Sequence, residues 1–430
     1  MARKIKNFDT LAKTDMRRAA LEIVESGLQA VDTDAVIRKN IRLEDDVLSI
    51  AGQTYLLKNI RRVFVVAVGK CAVEASVALE RILGEKITSG VLIDVKDAPP
   101  LKKIKAFKGT HPLPSEGNVL ATREMVSWMR GFNEHDLVIF VISGGGSTLL
   151  CLPEETDWKN EGKIVNTLMR SGATIQEINT VRKHLSLARG GFFAQYAYPA
   201  EVVSLIFSDV PGNDVQFVAS GPTVQDTTTL VEADEVIKKY RILELCGLSE
   251  VKLIETPKDE RYFEKVKNII VVSNRIALEA MRERAEQLGF NTIVAATRLT
   301  GEAREVGARI MEEISRESPQ TVLLYGGETT VNVHGTSMGG RNLELTLSAV
   351  LNAHENSVIV AIDSDGRDNS DFAGGLCDID TKRKAETLGL DPQTLLDGSK
   401  SYEFFLRTGD SVVTGDTGSN IADIILALHY

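Results

Sequence analysis

The sequence predicts an α/β protein with two lobes, each built on a mainly parallel, Rossmann-like sheet. Three observations support this prediction. The chain has 430 residues, more than one domain of about 100–200 residues requires. Short, nearly continuous apolar segments recur along it, which is typical of strands buried on both faces. Amphipathic segments with helical spacing separate these strands, as in layered α/β folds.

Each strand is predicted from a short run rich in Val, Ile and Leu. The predicted strands are 63–68, 91–95, 137–142, 202–207, 269–272, 292–295, 322–325 and 358–362. These runs stay apolar at successive positions instead of alternating with polar residues, so we expect both faces of each strand to be covered.

Each helix is predicted from apolar residues three and four positions apart. The predicted helices are 14–30, 72–83, 120–129, 174–188, 276–288, 302–313, 343–353 and 420–428. Thr174 begins the fourth, because a threonine followed three positions later by Glu177 forms a capping box. Thr417 or Ser419 is the expected cap of the last.

The domain boundary is predicted in the polar stretch 247–267, which contains Pro257. It separates an amino-terminal α/β domain, 1–250, from a carboxyl-terminal α/β domain, 265–430. The stretch would serve as a hinge beside an interdomain cleft, and the terminal helices are free to cross between the lobes.

Composition excludes several classes of function. The formal net charge of −10 gives no electrostatic attraction to a polyanion, so we expect no nucleic-acid partner. No apolar run reaches the about 18 residues that span a bilayer, and the charged start lacks a signal-peptide core. The four cysteines lie far apart, which favours free thiols. We therefore expect a cytoplasmic protein without a membrane segment, whose oligomeric state the sequence leaves open.

Two glycine-containing segments follow strands in the first half of the chain. The first consists of Ser143, Gly144, Gly145, Gly146 and Ser147. Backbone N–H groups of such a loop can converge on an anion. The second contains Lys70, which precedes helix 72–83, where a lysine is electrostatically unfavourable unless an anion is present. We expect both segments to bind phosphate or carboxylate, although a flexible strand exit and a solvated lysine are the alternatives.

A matching pair of glycine segments occurs in the second half. Gly326 and Glu328 follow strand 322–325, and Arg341 and Asn342 follow a double-glycine turn before helix 343–353. A guanidinium in this position can bind carboxylate or phosphate through two parallel hydrogen bonds. An exposed arginine on a glycine turn is the alternative.

Further cations lie in the first half of the chain. Arg182 and Arg189 are seven positions apart in the segment 179–191, which the capping box at Thr174 predicts to be helical. They would share one face and bind an anion, unless they form a solvated stripe. His111, in a loop stiffened by prolines, is a candidate for orienting substrate or transferring a proton. A structural role is the alternative for His111.

Aspartates after two strands are candidate metal ligands. Asp209 follows strand 202–207, and Asp365 and Asp368 follow strand 358–362. Mg²⁺ takes one or two carboxylates and keeps several waters, which loops of this kind can supply. Turns favour the same residue types, so a purely structural role stays open.

Taken together, these motifs resemble the class II glycerate kinases, the family whose carboxyl-terminal region is called MOFRL. The segments that carry the resemblance are GKCA (69–72), THPLP (110–114), SGGGS (143–147), VRKHLS (181–186), SDV (208–210), SGPT (220–223), GGET (326–329), GGRN (339–342) and the stretch 365–375. They occur in order over most of the chain, so their combination is specific where each alone would be weak.

The resemblance implies ATP-dependent phosphorylation of D-glycerate to 2-phosphoglycerate, assisted by Mg²⁺, in a cleft between two domains. It places a lysine and an arginine at the reacting centre, and the matching positions are Lys70 and Arg341. Asp209 is our candidate for accepting the hydroxyl proton. Glycerate carboxylate and ATP phosphate both fit the loop 144–147, and the sequence does not decide between them.

Two other functions stay open at this point. A hydroxypyruvate reductase would need a dinucleotide site, but the GxGxxG pattern with a ribose-binding acid is absent from the sequence. A non-enzymatic sugar-acid binding protein would also suit two lobes around a cleft. It would have no use for a phosphate-type loop, a lysine–arginine pair and acidic loops together.

Overall fold

The structure, a computed structural model, describes residues 3–154, 157–210, 212, 214–334 and 338–430. The α-helices are α1 (Phe8–Leu11), α2 (Asp15–Ala30), α3 (Thr33–Asn40), α4 (Ala72–Leu83), α5 (Glu116–Met129), α6 (Gly146–Leu149), α7 (Trp158–Arg170), α8 (Ile175–His184), α9 (Phe192–Ala197), α10 (Leu230–Lys239), α11 (Ile242–Cys246), α12 (Asn274–Gln287), α13 (Ala303–Arg316), α14 (Arg341–Leu351), α15 (Ile379–Thr387), α16 (Pro392–Asp397) and α17 (Ser401–Thr408). Over the described ranges, no helix is both long and apolar enough to cross a membrane.

The strands form three sheets. They are β1 (Ile41–Glu44), β2 (Val47–Ile50), β3 (Gln53–Leu56), β4 (Arg62–Val68), β5 (Ile87–Asp94), β6 (Ile104–Lys108), β7 (Asp136–Ser143), β8 (Glu201–Phe207), β9 (Val266–Val272), β10 (Asn291–Leu299), β11 (Thr321–Gly327), β12 (Ser357–Asp363), β13 (Gly374–Cys377), β14 (Ser411–Val412) and β15 (Asp423–His429). The small sheet is β1-β2-β3, and the two larger sheets have six strands each.

The chain divides into two compact units. One, here called the parallel-sheet unit, is Val36–Ser208 with Asn213–Val271. The other, the mixed-sheet unit, is Met1–Ala35, Asp209–Gly212 and Val272–Tyr430. The predicted helix 14–30, which we expected in the amino-terminal domain 1–250, therefore belongs to the mixed-sheet unit. The predicted hinge 247–267 lies inside the parallel-sheet unit, and the chain leaves that unit after Val271.

The parallel-sheet unit has the strand order β6-β5-β4-β7-β8-β9. Strand β4 lies between β5 and β7 and is parallel to both. Every residue of β7 is buried, because β7 is a central strand with a covered face on each side. This sheet confirms the parallel α/β architecture predicted from the apolar strands.

The mixed-sheet unit has the strand order β10-β11-β15-β12-β13-β14. Only β10 and β11 pair in parallel; β15 is antiparallel to both β11 and β12. The predicted helix 420–428 is thus wrong. Its run of Ile, Leu and Ala forms a central strand, since a short apolar run has no period that separates a buried strand from a buried helix.

A buried ion network joins α2 to the carboxyl-terminal part of the mixed-sheet unit. The Arg17 guanidinium donates two hydrogen bonds of 2.6 Å to the Asp378 carboxylate and one of 2.8 Å to Asp410. At most 4% of each of these side chains is exposed. The network therefore connects the start of the chain to segments nearly 400 residues later.

Replacing Arg17 with methionine is expected to lower the free energy of unfolding by about 3–5 kcal/mol, because two buried carboxylates lose their cation. Urea denaturation followed by circular dichroism measures this loss. Arg18→Met on the exposed face of the same helix is the matched control. A loss in R17M no greater than that in R18M would contradict a stabilising role for the network.

Candidate active site

The first candidate site lies where two neighbouring strands of the parallel-sheet unit end. Gly69 follows β4 with φ +115°, and a Cβ added to it would lie 2.1 Å from the Oγ of Ser143 at the end of β7. The next amide, that of Lys70, donates a hydrogen bond of 3.0 Å to the carbonyl of Gly144. The lack of a side chain at Gly69 lets the segment that carries Lys70 lie directly against the glycine loop.

The glycine loop offers unused hydrogen-bond donors. The backbone N–H groups of 144–147 have no acceptor within the part of the chain that the structure describes. A Cβ added to Gly145 would lie 3.2 Å from Cγ of Lys70 and 3.5 Å from Cδ2 of His111, so both side chains flank the loop. The Lys70 ammonium also lacks an ion pair there. Free amides beside an unpaired cation are the arrangement that anion-binding loops use.

The titratable groups around this loop are partly buried and lie near two cations, Lys70 and Arg182. Loss of hydration around the ring, together with the charges of Lys70 and Arg182, lowers the pKa of His111 to about 4. His111 is therefore neutral at neutral pH. Burial and the charge of Arg189 lower the pKa of Arg182 to about 10. A bound anion would stabilise the charged forms of Lys70 and Arg182, because its negative charge would replace the hydration that burial removes.

Arg182 and Arg189 have different environments. Helix α8 begins at the predicted capping box but ends at His184, so Arg189 lies beyond it. The Arg189 side chain is fully buried and bonds Glu161 at 2.5 Å, while its second nitrogen donates to the carbonyl of Arg182 at 3.0 Å. Arg182 itself makes no ion pair among the described residues. Arg189 is thus held by protein groups, whereas Arg182 is available to a ligand.

A hydroxyl chain supports the far end of the loop. The Oγ atoms of Ser147 and Ser220 are 2.9 Å apart, and the Ser220 hydroxyl donates to Oδ1 of Asn179 at 2.8 Å. A Cβ added to Gly146 would lie 2.5 Å from the Cβ of Ala219. The turn that contains Ala219 and Ser220 therefore packs against Gly146 and Ser147 and restricts the movement of the loop amides.

The second candidate site surrounds Arg341 in the mixed-sheet unit. The guanidinium contacts Asp423 at 2.7 Å, Asp363 at 2.9 Å and Glu328 at 3.1 Å. Asp423 is fully buried, whereas 53% of the Glu328 side chain is exposed. Two carboxylates therefore anchor the guanidinium from the protein side, and the third lies at its solvent side.

The start of α14 organises the same cluster. The Asp368 carboxylate accepts hydrogen bonds from the amides of Asn342 at 3.2 Å and Leu343 at 2.7 Å. A Cβ added to Gly340 would lie 2.2 Å from that carboxylate, so the double-glycine turn makes room for it. The Asn342 side chain donates to Asp423 at 2.7 Å. Asp368 thus fixes the start of α14, where Arg341 lies, and Asn342 orients Asp423, the carboxylate that pairs with Arg341.

Several of these carboxyl groups have raised pKa values. Burial, with repulsion from Asp365 and Asp423, raises the pKa of Asp363 to about 8. Burial likewise raises the pKa of Asp368 to about 6. A single guanidinium does not neutralise so many carboxylates, so the cluster gains a proton more easily than isolated aspartates do.

Asp363→Asn is expected to remove part of the pH dependence of stability. A carboxyl with a raised pKa contributes stability that is complete below its unfolded pKa of about 4 and is lost as the pH rises through the folded value of about 8. The melting temperature of the unmodified protein should therefore fall relative to D363N between about pH 5 and about pH 9. Asp397→Asn, an exposed carboxyl of the same unit, is the control; parallel pH profiles for D363N and the unmodified protein would contradict the prediction.

The predicted metal ligands do not form a cage. Within the described ranges, no three His, Cys, Asp or Glu side chains are placed to hold a metal ion together. Asp368 is buried and bonded to the start of α14, whereas Asp365 is half-buried in the loop after β12 and Asp209 is half-buried in the segment Asp209–Gly212. Of the three, Asp365 and Asp209 have the exposure that a water-mediated metal contact requires.

Gly326 has a structural explanation. It is buried at the end of β11, where an added Cβ would lie 3.1 Å from Leu278. The neighbouring Gly327 would place a Cβ 2.3 Å from the backbone of Leu299. These glycines let β11 approach β10 closely, and Glu328 directly after them reaches Arg341.

Sequence reasoning missed Asp423 and Glu161. Asp423 lies in the segment predicted as a helix, and its place beside Arg341 depends on the antiparallel insertion of β15. Glu161 is the one acid within α7, and nothing in its local sequence indicates pairing with Arg189. The amphipathic pattern of α7, which has Glu161 and Val165 on its buried face, could have indicated that Glu161 is buried.

Comparison with known proteins identifies the family. Residues 19–251 match the model described as "Domain of unknown function (DUF4147)", and residues 321–423 match that of the MOFRL family. The chain is 35% identical to a D-glycerate 2-kinase of Thermotoga maritima, over 96% of this chain and 98% of the relative. A crystal structure of glycerate kinase from the same organism superposes with a TM-score of 0.84 at 35% identity, covering 96% of this chain and 99% of that one.

A further relative carries a different name. A protein of Agrobacterium vitis with the provisional name hydroxypyruvate reductase is 38% identical over 84% of this chain and 86% of its own length. Both names therefore occur among the relatives of this chain. From the two domain matches and the near-complete coverage, the chain belongs to the glycerate 2-kinase family with a MOFRL carboxyl-terminal region.

Proposed function

We propose that this protein transfers the γ-phosphoryl group of ATP to the 2-hydroxyl of D-glycerate, giving ADP and 2-phosphoglycerate. The observation that carries the proposal is the relationship to D-glycerate 2-kinase over nearly the whole chain. The free amides of loop 144–147 beside the unpaired Lys70 support it, because phosphoryl transfer depends mainly on positioning and on neutralising charge.

Phosphoryl transfer from ATP to glycerate defines a role for the loop amides, for Lys70 and for Asp209. The glycerate 2-oxygen forms a bond to the γ-phosphorus while the bond from phosphorus to the β–γ bridging oxygen breaks, and ADP leaves with that electron pair. The loop amides and Lys70 stabilise negative charge on the phosphates as it redistributes. The proton of the 2-hydroxyl passes to a carboxylate or to water, and Asp209 is our proposed acceptor.

Arg341 is proposed to bind the transferring phosphoryl group. Asp423 and Asp363 orient its guanidinium. The half-exposed Glu328 is the partner that an incoming phosphate would displace with least loss of packing. A guanidinium held in this way adds charge where the transition state needs it, without having to reorganise. His111 and Arg182 are proposed to hold anionic oxygens of the substrates.

Mg²⁺ is proposed to enter with ATP. The ion prefers oxygen ligands and takes one or two carboxylates together with phosphates and water, so a dedicated protein cage is not required. Asp365 and Asp209 are half-buried and therefore more accessible to a hydrated ion than Asp368, whose carboxylate is buried and bonded to two backbone amides. When bound, Mg²⁺ would neutralise phosphate charge during transfer.

The test is ADP release on adding D-glycerate to the protein with Mg-ATP. L-Glycerate and related hydroxy acids in parallel reactions define the acceptor. Hydroxypyruvate with NADH, followed by loss of NADH absorbance, tests the activity suggested by the name of the Agrobacterium vitis relative. ADP release that depends on D-glycerate supports the kinase; NADH oxidation without ADP release would replace it with the reductase.

A further inference from the structure

A cavity of about 380 Å³ adjoins the glycine loop in the parallel-sheet unit. Ser147 and Thr148 line it on the loop side, and one face of α7 and the 112–114 segment complete its walls. A Cβ added to Gly162 of α7 would lie 3.3 Å from Pro114. The lack of a side chain at Gly162 therefore allows α7 and the proline segment to approach each other and form a narrow space.

The cavity has an apolar part and a cationic part. Pro112, Val165 and Met169 are among its apolar lining residues, and Arg170 and Arg182 are its cations. Glu161 is the one acid among the described residues of the lining, and it is already paired with Arg189. The cavity therefore offers apolar surface for an uncharged body and net positive charge for an anion, with the free amide of Ser147 at its margin.

We propose that this cavity binds the adenosine of ATP, with the phosphates extending from Ser147 along loop 144–147 toward Lys70. This assignment rests on the proposed function, and it decides which substrate occupies the glycine loop. D-Glycerate then binds elsewhere, and the loop amides hold nucleotide phosphate instead of glycerate carboxylate.

Size and polarity distinguish the two substrates. Sites for ligands of nucleoside size measure about 300–1,000 Å³ and are mostly apolar, with a few placed polar groups. The cavity is in this range. A three-carbon acid would leave most of it empty and would gain nothing from Val165 or Met169. A purine gains from burial of its faces, and Arg182 lies among the cations that its phosphates require.

Calorimetric titration of the full-length protein with ADP, adenosine and D-glycerate, each added separately, tests the assignment. Met169→Glu places a carboxylate on a side chain that is 49% exposed, and Val165→Phe reduces the cavity volume. Both are expected to weaken ADP and adenosine binding at least about tenfold and to leave D-glycerate binding unchanged. Leu120→Glu is the matched control, because Leu120 is 51% exposed on α5 of the same unit and lies outside the lining.

Thermal unfolding of each variant shows that the fold is retained. Unchanged ADP affinity in both variants would overturn the assignment, and so would a loss of D-glycerate binding as large as that of ADP. The same titrations separate this inference from the proposed function. Selective loss of nucleotide binding in a protein that does not phosphorylate D-glycerate would refute the glycerate kinase activity and leave the nucleotide cavity supported.

Discussion

Lys70→Ala is expected to lower kcat at least about 100-fold, because one preset donor at a developing charge contributes about 10²–10³ in rate. The lysine lies against the glycine loop and has no ion-pair partner among the residues that the structure describes, so its charge is available to a substrate. Its removal breaks no ion pair, and the melting temperature should stay close to that of the unmodified protein. Steady-state rates of ADP formation with saturating substrates give the effect.

Lys105→Ala is the matched control for this prediction, because Lys105 is an exposed lysine of the same unit that pairs with Glu124. It should retain full turnover. Lys70→Arg keeps the charge but changes its geometry and should recover only part of the rate. Turnover of the K70A protein within a few-fold of the unmodified rate would remove Lys70 from the reacting centre.

Arg341→Ala is also expected to lower kcat at least about 100-fold, but here the loss includes a cost in stability. Asp423 is fully buried and Asp363 nearly so, and removing the cation from such a cluster costs about 3–5 kcal/mol unless the carboxyl groups take up protons. Thermal unfolding at neutral and at acidic pH, run beside the rate measurement, separates these effects. The stability loss should shrink at acidic pH, where protonation relieves the repulsion.

Arg341→Lys provides the conservative comparison. Lysine keeps a positive charge among the carboxylates, so most of the stability should return. A single ammonium does not reproduce the three directed contacts of the guanidinium, so the rate should stay well below that of the unmodified protein. If R341K and R341A were equally unstable and R341K fully active, Arg341 would be a structural residue.

The parallel sheet was predictable because local and tertiary preferences agree there. Predicted strands 63–68 and 137–142 correspond to β4 and β7, and the predicted helix 72–83 matches α4. Their apolar runs are long enough to define a buried strand. The residues after them were identified as candidate ligands from their place at strand ends, the glycines of loop 143–147, the position of Lys70 before a helix, and the family resemblance. The juxtaposition of Lys70 with the glycine loop follows from the adjacency of β4 and β7.

The surroundings of Arg341 were less predictable. Asp423 and Asp363 are 60 residues apart in sequence and are direct partners in the β12–β15 ladder. That ladder exists only because the carboxyl-terminal segment inserts as a strand, and its Leu and Ala content favours a helix equally well in isolation. Arg189 was misplaced for a similar reason: its pairing with Glu161 depends on how α7 packs, which spacing within α8 does not encode.

The position of β15 also has a consequence for biosynthesis. Among the strands that the structure describes, β15 in the middle of the mixed sheet is the last in chain order, while α2 of the same unit lies near the start of the sequence. The parallel-sheet unit includes no residue after Val271, so its sequence is complete before β15 is synthesised, whereas the mixed sheet lacks the strand between β11 and β12 until then. Deleting residues 423–430 would therefore remove the strand between β11 and β12 and, with it, the Asp423 carboxylate that anchors Arg341.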